Sequence, residues 1–191
     1  MLSKLSEINT PDKIKVSKDF QHLRIVKKWF GLKFIFLTLF VIIWDAFLIN
    51  WYSIQFSRSL ESIFDLLFIL FPLFHLLVGV ILTYYVLAGY LNKTFIDVDF
   101  NSITVRHEPL PFWGNKKVST KTIKRLYYEW DDFFGIPDNR RSGYHFFAVY
   151  AITNEKRIIK LVRGLDNNEQ ALFVKQEIGK FLNIDEFTSI I

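Results

Sequence analysis

The chain contains no cysteine. That excludes disulfides, thiolate nucleophiles and zinc–thiolate centres together, and carries no information on compartment. Histidine is almost as uninformative. His22, His75, His107 and His145 fall in four separate segments, without the H-x-x-x-H or H-E-x-x-H spacing that puts two imidazoles on one helix face. The eight glycines never form G-x-G-x-x-G or G-x-x-x-x-G-K, so no phosphate-cradling loop is written in the chain, and no nucleophile elbow is either. Two carboxylate pairs remain as chemistry-bearing candidates, Asp97 with Asp99 and Asp131 with Asp132. Pairs of this kind serve acid/base or metal chemistry when a neighbour orients them. Here the reading is solvated acids at strand edges. No catalytic residue, no metal ligand set and no cofactor are assigned, and the chain is read as a non-enzyme.

What the chain has in abundance is apolar and aromatic surface. It is 51% hydrophobic and 18% aromatic, with 21 Phe in 191 residues. The apolar residues concentrate in WFGLKFIFLTLFVIIWDAFLIN, residues 29–50, and LLFILFPLFHLLVGVILTYYVLAGYL, residues 66–91. Each run reaches the roughly 20 residues that a helix needs to cross about 30 Å of hydrocarbon. Both are apolar on all faces, which argues for lipid around them rather than a soluble core on one side. A charged segment precedes the first run, which is longer than a signal-peptide core and lacks a small-residue cleavage site.

Basic residues set the orientation. Lys4, Lys13, Lys15, Lys18, Arg24, Lys27 and Lys28 precede the first run, whereas residues 51–65 contain only Arg58. Both termini are therefore expected on the cytoplasmic side of a cell (inner) membrane, with a short external loop. Trp29 and Tyr90 suit the inner aromatic belt, Trp51 and Tyr52 the outer one. Pro72 is expected to kink the second span, and Gly79 and Gly89 to allow close helix approach. The net charge of +5 suits an anionic membrane surface; with the spans present, nucleic acid is not needed to explain it. The expected partners are membrane lipids and another membrane protein or a second copy of the chain.

Asp45 and His75 are ionisable residues inside the spans. Such groups face protein or water and mark functional paths in many membrane proteins. Counted from the outer ends of the two runs, their depths differ by only about 6 Å, so an Asp45–His75 polar pair is geometrically open. A transporter or channel subunit using these two residues is the alternative to a binding module, and a lipid-modifying enzyme is the weaker one. The reading without function has Asp45 at the outer interface and His75 neutral within the hairpin.

Outside the spans the pattern changes. Residues 1–28 are read as a cytoplasmic segment with a small β-hairpin, because Ile14 and Val16, then Leu23 and Ile25, alternate with polar residues. Lys27 and Lys28 are expected at anionic headgroups. Residues 92–191 are read as one cytoplasmic domain. TFIDVDF and ITVRHEP flank a tight polar turn as a hairpin. KKVST, IKRLYYEW, YHFFAVYAI and RIIKLV follow as strands, with Leu126, Tyr128 and Trp130 inward. Asp166 and Glu169 form a capping box, and Ala171, Val174, Ile178, Phe181 and Leu182 recur at helical spacing on a helix over 167–183. The fold class is thus a membrane α-helical hairpin plus an α+β domain, an antiparallel six- to seven-stranded barrel or sandwich capped by a C-terminal helix.

With NKTFIDVD, ITVRHEPLP, KKVSTKTIKRLYYEW and the terminal helix in this order behind two spans, the chain resembles the bacterial two-span membrane proteins that carry a cytoplasmic pleckstrin-homology-like domain. The resemblance implies a binding or assembly module rather than an enzyme. Eukaryotic domains of that fold often hold phosphoinositides with basic residues in the first hairpin turn. Here that turn is Phe100-Asn101-Ser102, with no Lys or Arg, so that property is not carried over.

One segment stands apart, EPLPFWGNKK at 108–117. Pro109 and Pro111 end a strand, because proline donates nothing to a ladder. A hairpin that leaves the second span and returns brings this segment back to the level at which the domain begins. Phe112 and Trp113 are then either headgroup-zone anchors with Lys116 and Lys117 on phosphates, or a cap on the end of the barrel. Arg140 and Arg141, beside Phe133, Phe134 and Ile136, are either a headgroup contact or a solvated loop.

Overall fold

A computed structural model describes residues 10–58, 62–131 and 146–184. The chain divides into two compact units, Trp29–Asn92 and the combination of Met1–Lys28 with Lys93–Ile191.

The first unit is helical: α1 (Leu32–Phe56), α2 (Ile63–Leu70) and α3 (Leu73–Leu91). Both arms are long and apolar enough to cross a membrane, with mean hydropathy 2.3 over Leu32–Phe56 and 2.6 over Ile63–Leu91, and little of either is buried within the protein. Helix α1 runs beyond the expected residue 50, so Trp51 and Tyr52 lie in a helix and not in a loop. The reason is on the neighbouring arm. Pro72 has no N–H, which leaves the carbonyl of Phe68 without its helical donor. Trp51 Nε1 donates to Phe68 O at 3.3 Å, and Tyr52 Oη donates to Ile69 O at 3.4 Å. These bonds reward the continuation of α1 from Trp51 to its end at Phe56. The second arm is two helices divided at Phe71-Pro72 rather than one bent helix, and α2 opens on a capping box between Ser62 and Asp65.

Two glycines of α3 set how closely the arms approach. Phe34, 2% exposed, lies against Gly89, where a Cβ atom would stand 2.0 Å from its ring. At Gly79 a Cβ would stand 2.9 Å from Asp45 Oδ1. Thr38 and Tyr90 hydroxyls meet at 3.0 Å near the same end as Phe34.

The second unit carries the strands. A five-stranded antiparallel sheet has the order β1 (Ile14–Lys18), β2 (Leu23–Lys28), β3 (Lys93–Val98), β4 (Ser102–Glu108), β5 (Lys116–Ser119). A three-stranded antiparallel sheet has the order β6 (Ile123–Asp131), β7 (Phe146–Thr153), β8 (Ile158–Leu165). Among the described residues no ladder joins the two sheets, so the barrel alternative is corrected to two separate sheets; β5 passes into β6 through a 3-10 turn at Thr120–Thr122. The N-terminal hairpin belongs to this unit, since β2 pairs with β3 from Leu23↔Val98 to Lys28↔Lys93.

Alternation along the strands decides what is inside. Leu23, Ile25, Ile96, Val98, Ile103 and Val105 from the large sheet meet Leu126, Val149, Ala151, Leu161 and Leu165 from the small one, all buried. Helix α4 (Asn168–Leu182) adds Ala171, Phe173, Val174, Ile178 and Phe181 to this core. Phe173 was absent from the expected stripe. The N-cap is Asn167 and not Asp166: Asn167 Oδ1 accepts from Gln170 N at 2.8 Å. Asp166 is engaged elsewhere, accepting from Lys13 at 2.9 Å and from Lys27 at 3.2 Å. Lys27 is therefore not a headgroup contact. It is 4% exposed and donates to Gly164 O at 2.7 Å. Trp130, expected inward, is 53% exposed and stacks on Phe147 at 4.8 Å.

Candidate functional site

Inward-facing positions of the large sheet are apolar at one end and polar at the other. The polar row is Lys27, Thr94 and His107, which oppose one another across β2, β3 and β4. Thr94 Oγ1 and His107 Nδ1 lie 3.0 Å apart, and His107 N donates to Asn115 Oδ1 at 2.8 Å. His107 is 5% exposed, and burial, reinforced by the charges of Lys116 and Arg163, lowers its pKa to about 4. The imidazole is thus neutral at ordinary pH.

The turn at 109–114 closes over this end. Glu108-Pro109 is a cis peptide bond, and Gly114 has φ +107, a conformation that favours glycine. A Cβ on Gly114 would also stand 3.0 Å from His107 Nε2 and 3.9 Å from Arg163 Cδ. The two aromatics of the turn part company. Phe112 is half-buried and meets the His107 ring edge-on at 6.4 Å, whereas Trp113 is 82% exposed.

Beside the turn stands a charged cluster that joins the two sheets. Lys116 Nζ donates to Lys160 O at 2.6 Å. Lys160 and Arg163 both reach Asp131, at 2.5 Å and 3.4 Å. In a regular strand residues three apart point to opposite faces. Strand β8 avoids this with register shifts, where Val149↔Val162 is followed by Tyr150↔Lys160 on one side and Phe147↔Leu165 on the other. Such bulges re-aim side chains, and Gly164, at φ +69, takes the conformation one of them needs. The Asp131 side chain is 3% exposed, those of Lys160 and Arg163 about a third. Burial and the neighbouring charges of Arg163 and Lys160 lower the Lys116 pKa, partly offset by Asp131. Burial depresses the Lys160 pKa, but its bond to Asp131, the Asp131 charge and Tyr150 together outweigh that and raise it. The cluster holds three cations around one carboxylate.

The other expected site residues are placed as follows. Lys117, next to Lys116, points to the opposite face and opposes Thr104. Asp97 bonds Arg24 and Arg106, and Asp99 accepts from Asn101 N and Ser102 N in the hairpin turn, so these two acids serve separate structural partners. Asp45 and His75 do not pair. Asp45 Oδ2 accepts from Thr83 Oγ1 at 2.8 Å, while the His75 ring stacks on Trp44 at 5.7 Å and its Nδ1 is buried with no hydrogen bond among the described residues. Trp44 Nε1 donates to His75 O at 3.3 Å. Trp29 N donates to Asn92 O at 3.3 Å, and Tyr90 packs against Phe30 at 5.2 Å. Arg140, Arg141 and Asp132 lie outside the described residues. Sequence reading did not single out Lys160, Arg163 or the buried role of Asp131; Gly164 within a strand was the available signal of a bulge.

No protein-family model matches the chain, and no curated protein is similar to it in sequence.

Proposed function

We propose that the chain is a two-span inner-membrane protein whose strand-rich unit is a non-catalytic binding or assembly module held at the cytoplasmic face. One observation carries this reading. The chain passes to and from the apolar helices at neighbouring residues, Lys28 and Lys93, which oppose each other in the β2–β3 ladder. Only Asn92 separates Leu91, the end of α3, from Lys93, the start of β3. A single linking residue spans only about 3.3 Å, so the strand-rich unit begins almost where α3 ends along the chain. The pleckstrin-homology-like assignment belongs to the same reading, supported by successive antiparallel strands that end on one amphipathic helix. Support for a binding role rather than catalysis comes from Asp97, Asp99 and Asp131, each engaged by a structural partner. Membrane lipids, and another membrane protein or a second copy of the chain, are the partners.

The absence of native cysteine makes a direct test possible. In intact cells a membrane-impermeant maleimide is expected to label Ser57→Cys, at the end of α1, and to label Lys117→Cys only after lysis. Labelling of Lys117→Cys in intact cells overturns the orientation.

A further inference from the structure

The cluster of Lys116, Lys160, Asp131 and Arg163 is short of negative charge. Asp131 balances one of the three cations, and its two oxygens are taken by Lys160 and Arg163. Lys116 directs its ammonium to a backbone carbonyl, that of Lys160, which supplies a dipole but no countercharge. Arg163 turns Nε toward Asp131; among the described residues its two terminal nitrogens make no hydrogen bond. A guanidinium so placed offers a planar pair of donors of the kind that matches phosphate oxygens. Like charges crowded in a half-buried place repel one another, and an anion seated among them removes that repulsion.

The surroundings narrow the source of the anion. A Cβ added at Gly114 would stand 3.9 Å from Arg163 Cδ, so the turn at 109–114 borders the cluster. On that turn Trp113 is 82% exposed, an indole with nothing to cover it among the described residues. Strand β4 enters the turn from Glu108, which opposes Lys93, the first residue of the unit after the second span. An amphipathic ring next to a phosphate-type cation site, at the end of the sheet tied to a membrane helix, suits a lipid and has no use for a free ion.

We propose that Lys116, Lys160 and Arg163, rimmed by Trp113, bind the phosphate of an anionic phospholipid headgroup. This rests on the membrane reading above, but its test is run in micelles and does not depend on orientation.

The full chain is purified in a neutral detergent and mixed with equal amounts of phosphatidylglycerol and phosphatidylcholine of the same acyl chains, and retained lipid is counted by native mass spectrometry. The first retained lipid is expected to be phosphatidylglycerol with a preference of about tenfold, the scale of one charge-assisted contact of about 1.4 kcal/mol. Arg163→Gln is expected to abolish the preference, and Lys117→Gln, on the opposite face of β5, to keep it. Trp113→Ala, at an exposed position with no core to lose, is expected to lower retention while leaving the fold intact. An unchanged preference in both Arg163→Gln and Trp113→Ala overturns the site. Full displacement of the lipid by inorganic phosphate, with Trp113→Ala without effect, overturns the lipid assignment in favour of a free anion. A reversed result in the cysteine labelling, with the lipid preference intact, counts against the orientation alone.

Discussion

The indole of Trp51 donates to the carbonyl of Phe68, 3.3 Å away, which Pro72 leaves without a helical donor. A carbonyl left without a donor in an apolar arm costs free energy, so this side chain completes the backbone of the other arm.

Trp51→Phe keeps a smaller aromatic ring and removes the donor. It is expected to lower the stability of the full chain by about 0.5–1.5 kcal/mol, measured by reversible unfolding in mixed micelles. Trp44→Phe is the comparison. Its acceptor, His75 O, lies within the regular ladder of α3 and already has a helical donor. The Trp44 variant is therefore expected to lose less. Equal losses would show that the Pro72 break is satisfied by other means.

Gly89 and Gly79 are both buried on α3, yet they should respond differently to alanine. At Gly89 the added methyl would overlap the Phe34 ring, with atoms at 2.0, 2.2 and 2.4 Å, and Phe34 is itself buried and without room to turn. At Gly79 the closest atom is the end of the Asp45 side chain at 2.9 Å, which moves by rotation. Gly89→Ala is expected to cost about 1–3 kcal/mol, the usual range for overpacking, and Gly79→Ala distinctly less. The same unfolding titration checks both. A larger loss at Gly79 would show that the Asp45–Thr83 bond, and not the Phe34 contact, sets the approach of the arms.

Much of this architecture is legible in the residues, for reasons that also explain the failures. The spans are visible because residues such as Phe36, Leu39, Ile42 and Ile43 leave no polar face. The end of α1 is hidden because Asn50, Trp51 and Tyr52 look like an interface until the break at Pro72 on the other arm gives the two aromatic side chains acceptors. The strands of the large sheet follow from strict alternation, as in Leu23, Ile25 and Lys27. That same alternation puts Lys27 inside, where local sequence shows only a basic residue; its acceptors, Gly164 O and Asp166, lie 137 and 139 positions away. The cation cluster is the least legible part. It depends on the bulges of β8, which bring Lys160 and Arg163 to one side against the parity of a regular strand, and on Asp131, which looks from its sequence neighbours like a solvated strand-end acid.

His107 predicts a pH effect above the carboxylate range. Its folded pKa is about 4, lowered chiefly by burial and then by Lys116 and Arg163, against an ordinary value of 6.5. Between these values the unfolded chain binds a proton that the folded chain does not, so stability falls as pH drops from 6.5 toward 4. The full effect of such a difference is about 3 kcal/mol. His107→Asn, which cannot take up the proton, is expected to flatten the stability profile in this window while leaving the loss below it, where Asp97 and Asp166 titrate with lowered pKa. Denaturant titrations of both proteins at several pH values in neutral detergent check this. Parallel profiles would show that His107 is protonated in the folded chain.

Lys27, Asp166 and Lys13 predict both a ranking and a shift. Burial alone would raise the Asp166 pKa, but the charge of Lys27, then the bond and charge of Lys13, outweigh it and hold it below its usual value. A depressed carboxyl contributes stability at pH above its unfolded value, lost as pH falls through the folded one. Lys27→Met removes the buried partner, strands Gly164 O and leaves Asp166 with Lys13, whose side chain is 36% exposed. The cost is expected at about 3 kcal/mol, as for breaking a buried pair. Lys13→Met is expected to cost less than about 1 kcal/mol, because water screens that partner. With Lys27 gone, the folded pKa of Asp166 moves back toward its unfolded value, so the loss of stability that Asp166 contributes as pH falls should be smaller in Lys27→Met than in the unmodified chain. The double variant Lys27→Met/Asp166→Asn should recover part of the loss, since it removes the carboxylate left with one exposed partner. Additive losses would mean that Lys27 acts through Gly164 O alone, and that the N-terminal hairpin is fastened to β8 by a backbone contact rather than by charge.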